Sequence, residues 1–155
     1  MDWKDAFYSL GIVLTFVIGV WNIVGNYRVS RRTVFINTVT AERVKWIEKL
    51  RANISAFCGL THTWRFSEIE GKPSELDVVK ELDRLRYLIR LQLNPKGTLD
   101  KQIEALIARI PNLTHSSQQT ELTAALNQLV ETTQQLLKEE WEKVKDETQR
   151  GDLRT

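Results

Sequence analysis

Apolar residues follow two different patterns along the chain, and the change falls at Arg28. Between Ala6 and Tyr27 there is no charged residue. A helix over this stretch would be about 33 Å long, which is enough to cross the hydrocarbon core of a bilayer. Aromatic residues stand near both ends of it, as they do at membrane interfaces (Trp3, Phe7, Tyr8, Trp21 and Tyr27). The pattern predicts one transmembrane helix.

Beyond the apolar stretch, hydrophobic residues recur at intervals of three and four, which is the period of an amphipathic helix. Four such segments are separated by turn-forming residues. The first carries Val44, Ile47, Leu50, Ile54, Phe57, Thr61 and Trp64. The second follows the loop Arg65–Ser74, with Ser74 as its cap, and carries Leu76, Val79, Leu82, Leu85, Ile89 and Leu93. The third starts at Thr98 and ends at Pro111, and the fourth is a long helix opened by Ser116 and Ser117.

The segment Val29–Thr40 is rich in β-branched residues, which favour strands. It is too short and too isolated to build a sheet. Two interpretations remain, a helical continuation of the anchor or a short extended joint. Thr40, with Glu42 in the first turn, is typical of a helix start.

These elements predict an all-α fold with an N-terminal transmembrane helix over residues 1–28. A helical bundle with long, coiled-coil-like helices follows over 29–155. Helices joined by short turns pack antiparallel. The loops Arg65–Lys72 and Pro111–Ser116 are therefore expected at the same end of the bundle.

The distribution of basic residues predicts on which side of the membrane each end of the anchor lies. Arg28, Arg31 and Arg32 follow it, whereas Lys4 is the only basic residue before it. The positive-inside rule then predicts a cytoplasmic body and an external N-terminus. The acidic start of the chain does not fit a cleaved signal peptide, which has a basic first region. The arginines also suit contact with anionic lipid, and the lone Cys58 fits a reducing compartment.

The chemical motifs of enzymes are missing from the sequence. It has no nucleophile elbow, no phosphate-binding glycine loop and no zinc-protease motif. Cys58 and His62 have the spacing of a metal pair, but no second pair completes a zinc site. We therefore expect no catalysis, no metal and no cofactor. The basic stretch lacks interleaved aromatic residues, which argues against DNA binding.

One face of the predicted anchor carries small and polar residues at helical spacing: Gly11, Thr15, Gly19, Asn22 and Asn26. Such stripes allow transmembrane helices to approach closely, and asparagine can hydrogen-bond between them. The stripe predicts a homo-oligomer. The alternative is that Asn22 and Asn26 merely lie near the lipid headgroups.

The most ligand-like segment precedes the last helix. Asn112, Thr114, His115 and Ser116 lie there, and the antiparallel order brings Arg65 to the same end. The free N–H groups at a helix N-terminus favour an anion such as phosphate. These five residues form the predicted ligand site. The alternative is ordinary capping, since serine and threonine are common at helix starts.

Three runs in the body, Thr38–Arg51, Leu85–Pro95 and Leu136–Glu147, resemble a group of small bacterial membrane proteins with one N-terminal anchor and a helical cytosolic domain. In architecture alone, the chain also resembles the membrane effectors of type III CRISPR antiviral defence. That resemblance implies a tetramer in the bacterial inner membrane that binds cyclic tetra-adenylate. It matches no ligand-binding residue to this chain.

Two functions follow as expectations. The first is a membrane effector of antiviral defence, whose cytosolic domain senses a cyclic nucleotide and perturbs the membrane through its transmembrane helices. The second is a membrane-tethered helical scaffold that recruits a protein partner and binds no small ligand.

Overall fold

The chain folds entirely into helices over the residues that the computed structural model describes, which are 3–66, 72–113 and 116–150. The α-helices are α1 (Trp3–Phe66), α2 (Glu75–Gln92), α3 (Thr98–Arg109) and α4 (Gln119–Arg150). Short 3₁₀ helices occupy Ile110–Leu113 and Ser116–Gln118. None of these described residues lies in a strand, so the predicted all-α fold is confirmed.

The β-branched segment 29–40 is helical and lies inside α1. Its threonines bond back to the preceding turn: the Thr33 hydroxyl donates to the Val29 carbonyl at 3.0 Å, and the Thr38 hydroxyl to the Val34 carbonyl at 2.8 Å. These bonds satisfy the hydroxyl groups without breaking the helix. The helical continuation is therefore correct, and a helix start at Thr40 is wrong.

The chain divides into two compact units. One comprises the residues up to Ala41 together with the end of α4 from Glu147. Ile36 and Glu147 are buried within it, at 5% and 0% exposure. The other comprises Glu42–Asp146 and contains a conventional hydrophobic core.

Polar contacts fix the helix order in the second unit. The Trp46 Nε1 donates to the Gln92 carbonyl at the end of α2, so α2 runs back along α1. An ion pair joins Arg90 of α2 to Glu104 of α3 at 2.9 Å. Arg43 of α1 pairs with Glu140, late in α4, at 3.6 Å. The helices form the antiparallel bundle that the short turns predict.

The core of this bundle is aliphatic, with Phe57 at 0% exposure. All four α-helices contribute to it, chiefly through Leu50, Leu85, Ile89, Ile103, Ile107, Leu122 and Leu129. Leu76 was expected in the same face of α2 but is 60% exposed. Nine residues make two and a half turns of an α-helix, so Leu76 lies on the face opposite Leu85. Repeated steps of three residues therefore drift off the buried face.

The turn between α2 and α3 is built around a buried carboxylate. Asp100 is 6% exposed, and its Oδ1 accepts the backbone N–H of Asn94 at 2.8 Å. Gly97 precedes α3, and a β-carbon at this position would overlap the Asp100 carboxylate. The Asn94–Gly97 segment thus stops α2 as predicted, and any larger residue at Gly97 would have to displace the Asp100 side chain.

Candidate functional site

The stretch of α1 from Gly11 to Tyr27 is exposed on every side. Each residue from Gly11 to Tyr27 is exposed, including Phe16 at 72% and Trp21 at 79%. A soluble protein rarely leaves so large an apolar surface uncovered. Within the described residues this is the one helix that is long and apolar enough to cross a membrane, and 0% of the apolar stretch is buried.

The predicted stripe lies on one face of this exposed helix. Gly11, Thr15, Gly19, Asn22 and Asn26 are all exposed. The Thr15 hydroxyl donates to the Gly11 carbonyl at 2.9 Å, so it is satisfied within the helix. A β-carbon at Gly11 or Gly19 would meet no atom within 4 Å. The stripe is therefore an open surface within one chain.

The antiparallel order of α1 and α4 fixes the level of Arg65 along the bundle. Arg43 lies opposite Glu140, and the two helices run antiparallel with the same rise per residue. Counting equally along both helices from that pair places Arg65 at the level of Gln118. Arg65 is half-buried, and Asn112 is exposed in the 3₁₀ helix Ile110–Leu113.

The remaining members of that site lie outside the residues whose side chains are described. Thr114 and His115 fall in the gap between 113 and 116, and only the backbone of Ser116 is described. Ser116 opens a 3₁₀ helix, and α4 begins at Gln119. The Gln118 Oε1 is buried here with no hydrogen-bond partner in the described part of the chain.

A second feature, missed in the sequence, is a cleft of about 620 Å³ at the opposite end of the bundle. Trp46 lies in it beside the turn that joins α2 to α3. Four acidic side chains and two basic ones line it: Glu42, Asp100, Glu139, Glu140, Arg43 and Lys143. Sequence periodicity cannot reveal the cleft, because the residues that line it come from four separate helices and one turn.

Charge in the cleft favours cations over phosphate. Glu140 pairs with both Lys143, at 2.6 Å, and Arg43. Glu42 pairs with Lys45, whose hydrogen bond is the largest cause of the lowered pKa of that carboxyl. Both cations that line the cleft are thus engaged by carboxylates. The charge of the cleft therefore does not favour an anionic ligand.

Cys58 is a packing residue. It is half-buried against the hydrophobic core, and this burial raises the pKa of its thiol to about 11. A thiol with so high a pKa is a poor nucleophile and a poor metal ligand at neutral pH. In the described residues, no three histidine, cysteine or acidic side chains come together as a metal site would require.

Comparison with protein-family models, curated proteins and solved structures finds no match to this chain.

Proposed function

We propose that this chain is a single-pass membrane protein whose helical bundle works at the membrane surface. The observation that carries the proposal is the all-round exposure of the apolar helix from Gly11 to Tyr27. Lipid is the environment that covers such a surface on every side at once. The arginines after the helix favour a cytoplasmic bundle and an external N-terminus. The membrane that we propose is the bacterial inner membrane.

Membrane fractionation tests this proposal. The full chain should stay in the membrane pellet after alkaline carbonate washing. A chain lacking residues 1–27 should be soluble and helical by circular dichroism. Full-length protein in the soluble fraction without detergent would contradict the proposal.

We further propose that the protein acts as an effector of antiviral defence that senses a cyclic nucleotide, cyclic tetra-adenylate being favoured. The antiparallel pairing of α1 with α4, which puts Arg65 level with the residues just before α4, supports this. Arginine suits phosphate, and the buried acceptor of Gln118 suits an adenine amino group.

Calorimetry distinguishes the effector function from the scaffold function. Full-length protein in detergent is titrated with cyclic tetra-adenylate and its ring-size relatives. The effector predicts binding that weakens as salt is added and is lost in a His115→Ala, Ser116→Ala double variant, but persists in an Arg51→Ala control. Arg51 is exposed and paired with Glu48 on α1. No binding, or unchanged binding in the double variant, would leave the scaffold as the better function.

The scaffold has its own supporting observation. Three large side chains on α2 are exposed, Leu76, Tyr87 and Leu91 at 60%, 62% and 85%. They lie on one face of the helix, since they are separated by eleven and four residues. Such a patch is typical of a surface that contacts another protein.

The stripe on the anchor supports self-association, with a tetramer as the expected state. Gly19→Leu should block close approach of the helices and weaken association, because no atom of the same chain opposes a side chain there. Val17→Leu adds bulk on the opposite face and should have little effect. Cross-linking in mild detergent measures both variants, and a purely monomeric wild type would contradict the proposal.

A further inference from the structure

A small groove at the end of the apolar stretch of α1 combines aliphatic, aromatic and cationic side chains. It has a volume of about 510 Å³ and is lined by Ile23, Val24, Tyr27 and Arg31. Ile23, Tyr27 and Arg31 succeed one another at intervals of four, which puts them in a row along one face of the helix. We propose that this groove is a binding site for one anionic phospholipid. The inference rests on the membrane anchoring proposed above.

The contact between Arg31 and Tyr27 orients the cation. The guanidinium carbon of Arg31 lies 4.6 Å from the centre of the Tyr27 ring. Helical side chains point toward the N-terminus, so Arg31 folds back over Tyr27 toward the apolar stretch. Stacking uses the flat face of the guanidinium and leaves the N–H groups at its edge available. Those edges are the donors that bind phosphate in a bidentate manner.

Charge near the groove is of one sign along α1. Between Ala6 and Ala41 there are three arginines and no acidic residue. Arg31 is exposed, and its described contact is with the ring and not with a carboxylate. A headgroup phosphate supplies the negative charge that this stretch of α1 lacks.

The apolar half of the groove suits the rest of a lipid. Ile23 and Val24 are 70% and 45% exposed, and they precede Tyr27 by about one turn. An acyl chain can lie along them while the phosphate reaches Arg31. Tyrosine is common at the membrane–water interface, because its ring is apolar and its hydroxyl is polar. A free phosphate would use only Arg31 and leave the aliphatic half uncovered.

The test uses the full chain reconstituted in vesicles with spin-labelled phosphatidylglycerol or phosphatidylcholine. Electron paramagnetic resonance gives the relative association of the two lipids with the protein. The wild type should prefer phosphatidylglycerol, and Arg31→Gln should lower that preference about fivefold, the typical worth of one arginine at a membrane surface. Tyr27→Leu keeps an apolar side chain but removes the ring, and it should lower the preference as well.

Arg32→Gln is the matched control, since it removes the same charge one position along the chain and should reduce the preference less. An unchanged Tyr27→Leu variant, or equal losses for the two arginines, would overturn the site in favour of diffuse attraction. Competition by soluble glycerol phosphate would overturn it in favour of a free-anion site. A chain that enters the vesicles without any lipid preference refutes this inference alone, whereas a chain that stays in solution refutes the anchor too.

Discussion

The two ends of α1 both contain large apolar residues, but only the C-terminal end buries them inside the protein. Phe16 is 72% exposed, whereas Phe57 is fully buried in the bundle. Near Phe57, apolar residues occupy one face and charged residues the other, so a single face has to be covered by protein. Near Phe16, no residue is charged, and large apolar side chains are exposed on every face except the stripe of small and polar residues. The pattern of hydrophobicity, more than its amount, separates a core-facing helix from a lipid-facing one.

Truncating the two phenylalanines gives the largest expected contrast. Phe57→Ala should destabilise the bundle by about 3–5 kcal/mol, because it opens a cavity among packed side chains. Phe16→Ala should leave the free energy of unfolding of the bundle unchanged. Urea titration of the detergent-solubilised protein, followed by circular dichroism, measures both. Equal effects would mean that the two ends of α1 are covered in the same manner.

Two glycines sharpen the contrast between a crowded and an open site. Gly97→Ala forces the Asp100 carboxylate away from the Asn94 N–H and should cost about 1–3 kcal/mol. Gly59 is an exposed position of α1 where an added β-carbon meets nothing within 4 Å. Gly59→Ala should therefore stabilise the bundle by about 1 kcal/mol through helix propensity alone. The same urea titration checks both variants. A stabilising Gly97→Ala would show that the Asp100 side chain can move aside without a cost in stability.

Loss of the hydrogen bond between Trp46 of α1 and the end of α2 should have a smaller effect on stability. Trp46→Phe keeps the ring in the cleft but removes the donor to the Gln92 carbonyl, at a cost of about 1 kcal/mol. Trp141→Phe is the control, because Trp141 is 45% exposed and should change little. Thermal unfolding of both variants gives the comparison. A Trp46→Phe variant as stable as the wild type would mean that this bond adds nothing net.

At neutral pH the smallest effect is that of Cys58. Burial raises the pKa of its thiol from 9.0 to about 11, so the folded state favours the neutral form. The stabilisation is complete below pH 9 and is lost as the pH rises from 9 to about 11. Cys58→Ser should flatten that part of the stability curve. Iodoacetamide should also alkylate the folded wild type much more slowly than the unfolded chain, and equal rates would contradict the assigned burial.

Sequence patterns predict this fold well where one period dominates. Leu50, Phe57 and Leu129 repeat at helical spacing, and all are buried as expected. Sequence patterns fail where the local preference of a residue competes with the propagation of a helix. Thr40 is a residue type that often caps helices, yet α1 continues through it because the segments on both sides are helical. Leu76 shows a second limit, because three successive steps of three residues, from Leu76 to Leu85, accumulate an angular error of about half a turn.

Far less of the candidate sites can be read from the sequence. The turn residues predict the helix order, and that order is the basis on which Arg65 and Asn112 are expected at one end of the bundle. The cleft around Trp46 depends on which faces of α1 and α4 meet, and no local signal encodes that. The stacking of Arg31 on Tyr27 is the exception, because a spacing of four on a helix is enough to bring two side chains together.

Cysteine accessibility along α1 tests the central claim most directly. In a Cys58→Ser background, single cysteines are introduced at successive positions and treated in native membranes with a membrane-impermeant maleimide. Lipid coverage predicts that Val13→Cys, Val17→Cys and Asn22→Cys are all protected, whatever face they occupy. In the bundle, Arg51→Cys should react and Ile54→Cys should not, giving a helical period. A helical period of reactivity between Gly11 and Tyr27 as well would contradict the account, since it would show that water reaches one face of the apolar helix.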